Sequence, residues 1–352
     1  MSIFSAPDFD GHRQVSYFHD SGTGLSAIIA VHDLTLGPAL GGCRMYPYAN
    51  ENAALADVLR LSRGMTYKAA MAGVPLGGAK SVIIGNPHTE KTPAMMQAMG
   101  RAIEEMGGRY IAGEDIGTNP ADMVQFRSQT RYVSCIDVAD GGYGDPAPMT
   151  ALGVFQSIRA AGRHRWGSDT LEGRTVAIQG VGNVGYALAG LIARAGGALI
   201  VADTHQPNVD RAVADFGAEV TDPGDILFTE ADILAPCAVG AILNDATIPG
   251  LRARIVAGAA NNQLAEARHG DALRNAGIVY VPDYVANGGG LVSCAAEWYG
   301  TDRSRIEPDV LKIEDTVARI LVDADQAGIA TSTAADRLAR EIIAAAKTAR
   351  GK

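Results

Sequence analysis

No run of lysine and arginine appears anywhere in these 352 residues, and 39 acidic against 30 basic side chains leave a net charge of −9. Nothing offsets phosphate repulsion, which argues against nucleic acid or an anionic membrane surface as a partner. No window of about 18 uncharged apolar residues exists, so no membrane span is expected. The opening "MSIFSAPDFDGHRQ" lacks a basic segment leading into an apolar one, and a cytoplasmic protein is expected. Cysteine is scarce. Cys43, Cys135, Cys237 and Cys294 lie far apart with neither C-x-x-C spacing nor partnering histidines, which excludes a disulfide framework or a zinc site and leaves four small buried residues as the expectation. No cluster of His, Asp or Cys has ligand spacing, so no metal is expected. Internal repeats and low-complexity tracts are also missing.

What remains is ordinary globular material, 47% apolar and 20% charged, long enough for two domains. Strand-length apolar runs alternate with helical patterns almost throughout. That alternation predicts an α/β protein of two domains, an N-terminal mostly parallel substrate domain and a Rossmann dinucleotide-binding domain. Strands are expected at "QVSYFH", "LSAIIAVH", "KSVIIG" and "RYIAGED" in the first half, with helices near 52 to 71, 93 to 107 and from about 120. Glycine, proline and aspartate cluster in "DVADGGYGDPAPMT", which marks 137 to 149 as a hinge. The pattern restarts beyond it with a helix near 151 to 165, "RTVAIQG" and "ALIVAD", and ends in helical segments near 307 to 327 and 333 to 349. The expected division is 1 to 136 plus 331 to 352 for the first domain and 150 to 330 for the second.

"TVAIQGVGNVG" is an apolar strand followed by Gly180, Gly182 and Gly185 in G-x-G-x-x-G spacing, and it runs through Asn183 and Val184 into a helix. Such glycines allow a tight turn and close approach of backbone to a pyrophosphate, while the helix N-terminus offers N–H donors and a positive dipole end. The next strand ends at Asp203, where a carboxylate would accept hydrogen bonds from both ribose hydroxyls of NAD and repel the 2′-phosphate of NADP. No arginine follows closely, so NAD is the expected cofactor.

In "AGVPLGGAKSVIIG" a lysine, Lys80, opens an apolar strand behind a run of small residues, where an amine would be partly desolvated. Lys68 ends the preceding helix, and Asp115 closes "YIAGED" at the carboxyl end of a strand, where ligands of parallel sheets gather. Each has a plainer reading: Lys68 a solvated helix end, Lys80 an edge-strand lysine, Asp115 the N-cap of the next helix.

The segments "GPALGGCRMYPY", "LSRGMTYKAA", "PLGGAKSVIIG", "GEDIGTNPADM", "APCAVGAILND", "GAANNQL" and "PDYVANGGG" resemble, in order over nearly the whole chain, those of the glutamate, leucine, phenylalanine and valine dehydrogenases. The resemblance implies that Lys68 binds a substrate α-carboxylate, assisted by backbone N–H groups around Gly41 and Gly42. It makes Lys80 the catalytic base, kept partly unprotonated by desolvation and the Lys68 charge, and gives Asp115 the protons of the substrate nitrogen. Hydride would leave the α-carbon for the nicotinamide, Lys80 would activate water, and the carbinolamine would collapse to a 2-oxo acid and ammonium. Thr150 and Asn262 would stand near nicotinamide and substrate. Asn261 joins them, although Asn-Asn after a strand is also ordinary turn chemistry. Ala238 would lie by the adenosine ribose.

The same resemblance puts Leu40, Gly113, Leu291 and Cys294 in the wall of the side-chain pocket. Glutamate-acting members carry lysine and serine where this chain has Leu40 and Cys294, so a substrate carboxylate would be buried unpaired at a cost of several kcal/mol. Leucine-type members typically have alanine and valine where this chain has Gly113 and Leu291. Glycine and leucine there resemble the phenylalanine-type members, and the missing Cβ at Gly113 opens room for a ring. An aromatic preference is expected, with a branched-chain or tryptophan enzyme as alternatives; outside enzymes, the alternative is a non-catalytic NAD-binding regulator. Gly288, where alanine is usual, and Ala286, where a larger aliphatic is common, suggest that the loop bearing Leu291 sits differently. The resemblance also implies a homo-oligomer and a C-terminal helix that returns to the first domain.

Overall fold

The structure is a computed structural model and describes residues 3 to 350. The chain forms two compact units, Met1–Asp145 with Ser293–Arg303 and Ala339–Lys352, and Pro146–Val292 with Ser304–Leu338. No helix among the described residues is long and apolar enough to cross a membrane.

The first unit contains β1 (Gln14–Asp20), β2 (Leu25–Asp33), β3 (Ala39–Tyr46), α1 (Glu51–Met71), β4 (Gly77–Ile84), α2 (Pro93–Glu105), β5 (Tyr110–Glu114) and α3 (Pro120–Arg127). Its sheet has the order β1-β2-β4-β3-β5, and only β2 runs against the other strands. Local chemistry sets the boundaries. The β1–β2 turn closes with the Gly22 N–H donating to Asp20 Oδ1 and Gly24 in the left-handed region. Asn50 Oδ1 accepts from the Ala53 N–H to start α1, and Asn119 with Asp122 forms a reciprocal cap on α3.

Strand alternation divides the apolar residues between the two faces of the sheet. Ile28, Ala30 and Val82 pack with Val58 and Leu59 of α1. Ile29, Val31, Met45 and Ile83 pack on the other side with Met96, Met99 and Ile103 of α2 and Phe126 of α3.

Burial lowers the pKa of His12 from its ordinary 6.5 to about 4. Its neutral ring accepts from the Asp10 N–H at Nδ1, which leaves Nε2 to donate to the Leu59 carbonyl. The unfolded chain binds the extra proton first, so this contribution is complete above pH 6.5 and is lost as pH falls towards 4. Thermal melts across that window are expected to show Tm falling with pH, and His12→Asn to flatten the slope.

The second unit starts with α4 (Ala147–Trp166) and continues through β6 (Thr175–Gln179), α5 (Asn183–Arg194), β7 (Ala198–Ala202), α6 (Gln206–Phe216) and β8 (Glu219–Val220). There follow β9 (Ile233–Pro236), β10 (Ile255–Val256), α7 (Arg268–Asn275), β11 (Val279–Tyr280) and α8 (Asp283–Ala286). The helices α9 (Gly289–Tyr299), α10 (Ile306–Leu311), α11 (Ile313–Ala327) and α12 (Thr331–Arg350) complete the chain. The last part of α12 belongs to the first unit, where Arg340 Nε donates to the Tyr67 hydroxyl.

All strands of the six-stranded sheet are parallel, in the order β11-β10-β9-β6-β7-β8. This is the doubly wound Rossmann order, with its switch point between β6 and β9.

Two local expectations are corrected. Lys80 does not open β4; it is the fourth of its eight residues. Leu291 is not on a loop but on α9, and it is buried. The glycines of "VANGGG" disguise the start of that helix. Its close packing explains two of them, since a Cβ on Gly289 would run into the Met149 carbonyl and one on Gly290 into Thr150 Oγ1.

Candidate active site

Register places the polar residues of the first unit on one face of three adjacent strands. Leu40 of β3 pairs with Gly78 of β4 and Ile111 of β5, Gly42 pairs with Gly113, and Arg44 pairs with Val82. With a period of two, Leu40, Gly42 and Arg44, then Gly78, Lys80 and Val82, then Ile111 and Gly113 all share the face that α1 covers. Gly78 takes α1 directly: a Cβ there would meet the Thr66 backbone. Lys68 lies in the last turn of the same helix, two residues beyond Thr66.

Lys80 is 5% exposed, and its Nζ donates to Asp115 Oδ2. The second carboxylate oxygen of Asp115 accepts from Arg44 Nε at 2.8 Å. Arg44 Nη1 in turn donates to Asp57 Oδ2 at 2.9 Å, an oxygen that also accepts from the Tyr48 hydroxyl at 2.6 Å. Burial alone would raise the Asp115 pKa, but the Lys80 and Arg44 cations outweigh it and hold the carboxyl well below the usual range. Asp115 is therefore an anion fixed between two cations.

The plainer readings of Lys80 and Asp115 fail on geometry. β4 is a central strand, so Lys80 is not an edge lysine. The N-cap of α3 is Asn119, not Asp115. The charge touching Lys80 is the Asp115 carboxylate, opposite in sign to the Lys68 charge invoked from the sequence. Arg44 was not among the residues anticipated. No local pattern points to it, because its place beside Asp115 follows only from the register of β3 with β4 and β5.

Glycine makes the space around the amine. A Cβ on Gly42 would lie 3.0 Å from Lys80 Nζ and 2.7 Å from the Glu114 carbonyl oxygen, and one on Gly41 would enter the Ala79 backbone. Beside Gly113 the nearest atom is Cys135 Sγ, 3.1 Å from where a Cβ would stand. Cys135 Sγ lies 2.9 Å from Cys294 Sγ. Cys43 and Cys294 are buried, as expected of small apolar residues, whereas Cys135 and Cys237 are only half-buried. Leu40, Gly113 and Cys294 belong to the first unit and Leu291 to the second.

In the second unit the three turn glycines divide into two kinds. Gly180 has φ +87° and a Cβ there would sit 2.7 Å from the Ala238 Cβ, while one on Gly185 would enter the Gly180 carbonyl. Around Gly182 nothing lies within 4 Å. The turn is thus closed on its packing side and open at the middle glycine. Gly182 is the N-cap of α5 and, as a glycine, brings no side chain of its own to the start of the helix.

Asp203 accepts from the Val181 N–H and the His205 N–H, each at 2.8 Å. Burial would raise its pKa, and these hydrogen bonds outweigh that and lower it. An open glycine at the start of a helix and an oriented anion fit a dinucleotide's pyrophosphate and ribose. Asn262 adopts a left-handed φ of 54°, with its N–H on Asp283 Oδ2, and Asn261 Oδ1 accepts from Asn287 Nδ2. Asn287 Oδ1 is buried without a hydrogen-bond partner. Thr150 Oγ1 donates to the Pro146 carbonyl.

Residues 12–132 match the Glu/Leu/Phe/Val dehydrogenase dimerisation domain, and residues 141–212 and 204–351 match the glutamate/leucine/phenylalanine/valine dehydrogenase domain. The chain belongs to the Glu/Leu/Phe/Val dehydrogenase family. Within that family it is 49% identical over 350 residues to the leucine dehydrogenase of Bacillus cereus, covering 99% of this chain and 96% of that one. It is 44% identical over 345 residues to the phenylalanine dehydrogenase of Lysinibacillus sphaericus, covering 96% and 90%. The crystal structure of L-tryptophan dehydrogenase from Nostoc punctiforme superposes with a TM-score of 0.83 at 45% identity, covering 96% of this chain and 97% of that one. The family's two-domain α/β organisation and its amino acid dehydrogenase character apply to this chain, and the glycine turn fits the pyridine nucleotide that such an oxidoreductase uses.

Proposed function

We propose that this protein catalyses the reversible NAD-dependent oxidative deamination of an apolar L-amino acid to its 2-oxo acid and ammonium. The observation that carries the reading is the buried Lys80 amine held on the Asp115 carboxylate beside the Gly41–Gly42 backbone.

Lys68 takes the substrate carboxylate as a fixed cation, aided by the glycine N–H groups. The Lys80 ammonium held on Asp115 first gives up its proton; as the free amine it then removes a proton from the water that adds to the iminium carbon, and Asp115 exchanges protons with the substrate nitrogen. Gly180, Gly182, Gly185 and Asp203, with Asn183, Val184, Ala238, Asn261 and Thr150 around them, would hold NAD, which when bound would supply the hydride acceptor. Asn262 orients the substrate against it.

Asp203 sets the choice of nucleotide by accepting from ribose hydroxyls and repelling a 2′-phosphate. Asp203→Ala is expected to raise KM for NAD about tenfold and to narrow the NAD over NADP preference by a similar factor, on the scale of one or two lost charge-assisted hydrogen bonds. Initial rates with each nucleotide check this.

Leu40 and Cys294 offer no cation to a glutamate side chain, so glutamate is a poor substrate. Gly113 and Leu291 favour an aromatic side chain. The branched-chain reading draws support from the 49% identity to leucine dehydrogenase and from the Cys135 thiol beside Gly113. Specificity constants for L-phenylalanine, L-tryptophan, L-leucine, L-valine and L-glutamate decide: phenylalanine first supports the aromatic reading, and leucine or valine first overturns it. A homo-oligomer is proposed from the dimerisation-domain match.

A further inference from the structure

Two thiols remain that the proposed reaction does not use as chemistry. Cys135 and Cys294 are 159 residues apart in the chain, and their sulfurs lie 2.9 Å from each other. The backbones carrying them are already tied together. Ser134 Oγ donates to the Cys294 carbonyl at 3.0 Å, the Ile136 N–H to Glu297 Oε1 at 3.2 Å, and the Tyr143 N–H to Glu297 Oε2 at 3.0 Å. Cys135 itself sits at φ 64°, a left-handed conformation unfavourable for a residue with a side chain. Such strain persists only where the surroundings hold it. Here it turns the thiol towards Cys294 and Gly113. A disulfide needs the sulfurs at about 2.05 Å, less than an ångström closer than they stand.

We propose that Cys135 and Cys294 form a reversible regulatory disulfide, with a peroxide as the oxidant. The pair is asymmetric in the way such a reaction requires. Cys135 is half-buried, the more exposed of the two, while Cys294 is buried against it, so an oxidant meets Cys135 first. Peroxide oxidises the Cys135 thiol to a sulfenic acid and is itself reduced to water or an alcohol. The Cys294 sulfur then attacks the Cys135 sulfur. The S–S bond forms, the S–O bond breaks, and the hydroxyl leaves with the Cys294 proton as water.

Crosslinking draws the middle of α9 towards the segment after α3, at the position where Cys294 lines the proposed side-chain pocket. This consequence for substrate rests on the proposed function; the crosslink itself does not. The other two cysteines compete poorly. Cys43 is fully buried, and Cys237 belongs to the second unit, whereas Cys135 and Cys294 both belong to the first.

The test treats the full-length reduced protein with stoichiometric hydrogen peroxide and measures intact mass, free thiols and the tryptic map, before and after dithiothreitol. The expected result is a loss of roughly 2 Da and two thiols, with a reducible crosslink joining the Cys135 and Cys294 peptides. Cys135→Ser, whatever its basal rate, is expected to show neither the crosslink nor any loss of rate on oxidation. In the wild type, kcat/KM for the best amino acid is expected to fall about tenfold and to recover on reduction, the scale of a small change in pocket volume. Retention of all four thiols, a crosslink between other cysteines, or Cys135 advancing to a sulfinic acid without a crosslink would overturn the proposal. If the untreated protein turns over no amino acid, the functional reading fails while the mass and thiol results still decide the disulfide.

Discussion

Replacing Lys80 by alanine is expected to lower kcat/KM for the best amino acid by about a thousandfold, in the range set by removal of a positioned general base. NAD affinity should be nearly unchanged, because Lys80 lies in the sheet of the first unit and the glycine turn in the second. The substitution leaves the Asp115 carboxylate buried with Arg44 as its remaining cation, so a modest fall in Tm accompanies the loss of rate. Steady-state rates, NAD titration and a melt together separate chemistry from folding. Equal losses of turnover and nucleotide binding would show that the protein had misfolded rather than lost a base.

Asp115→Asn is the second large effect. The amide keeps the shape and removes the charge, leaving the Lys80 ammonium and the Arg44 guanidinium buried side by side without their shared anion. Removing one partner of a buried ion pair typically costs about 3–5 kcal/mol, and the rate should fall by roughly 10² to 10⁴ as proton exchange with the substrate nitrogen is lost.

The pH dependence of stability follows from the same charge. The Asp115 pKa is depressed in the folded state, so its contribution is complete above the ordinary carboxylate value of 3.8 and is lost as pH falls through the folded value. Asp115→Asn should therefore be less stable than wild type at neutral pH, with the difference shrinking in acid. A difference that instead grows in acid would contradict the assignment of Asp115 as the anion.

Much of this site could be read before the fold was known, because its parts sit on short local patterns. The glycine turn at 180 to 185 and the carboxylate at 203 announce themselves through strand, turn and helix. β3 was harder, since its two central glycines, Gly41 and Gly42, argue against a strand by composition. Register supplies the reason they are there: Gly42 faces Lys80, and Gly41 approaches the backbone of β4 too closely for any side chain.

Arg44 escaped notice for the same cause, because its role exists only once β3, β4 and β5 are aligned. The start of α9 was hidden by glycines that pack against Met149 and Thr150. The Cys135–Cys294 pair lies beyond any local reading, with 159 residues between its members.

Product stoichiometry tests the proposed oxidative deamination most directly. The purified protein is incubated with NAD and L-phenylalanine, and NADH, ammonium and 2-oxo acid are quantified in the same sample. Equal amounts of all three are expected, with kcat/KM about a thousandfold lower when Lys80 is replaced by alanine. Nucleotide reduction without ammonium release, or NAD binding with no reduction by any apolar L-amino acid, would contradict it.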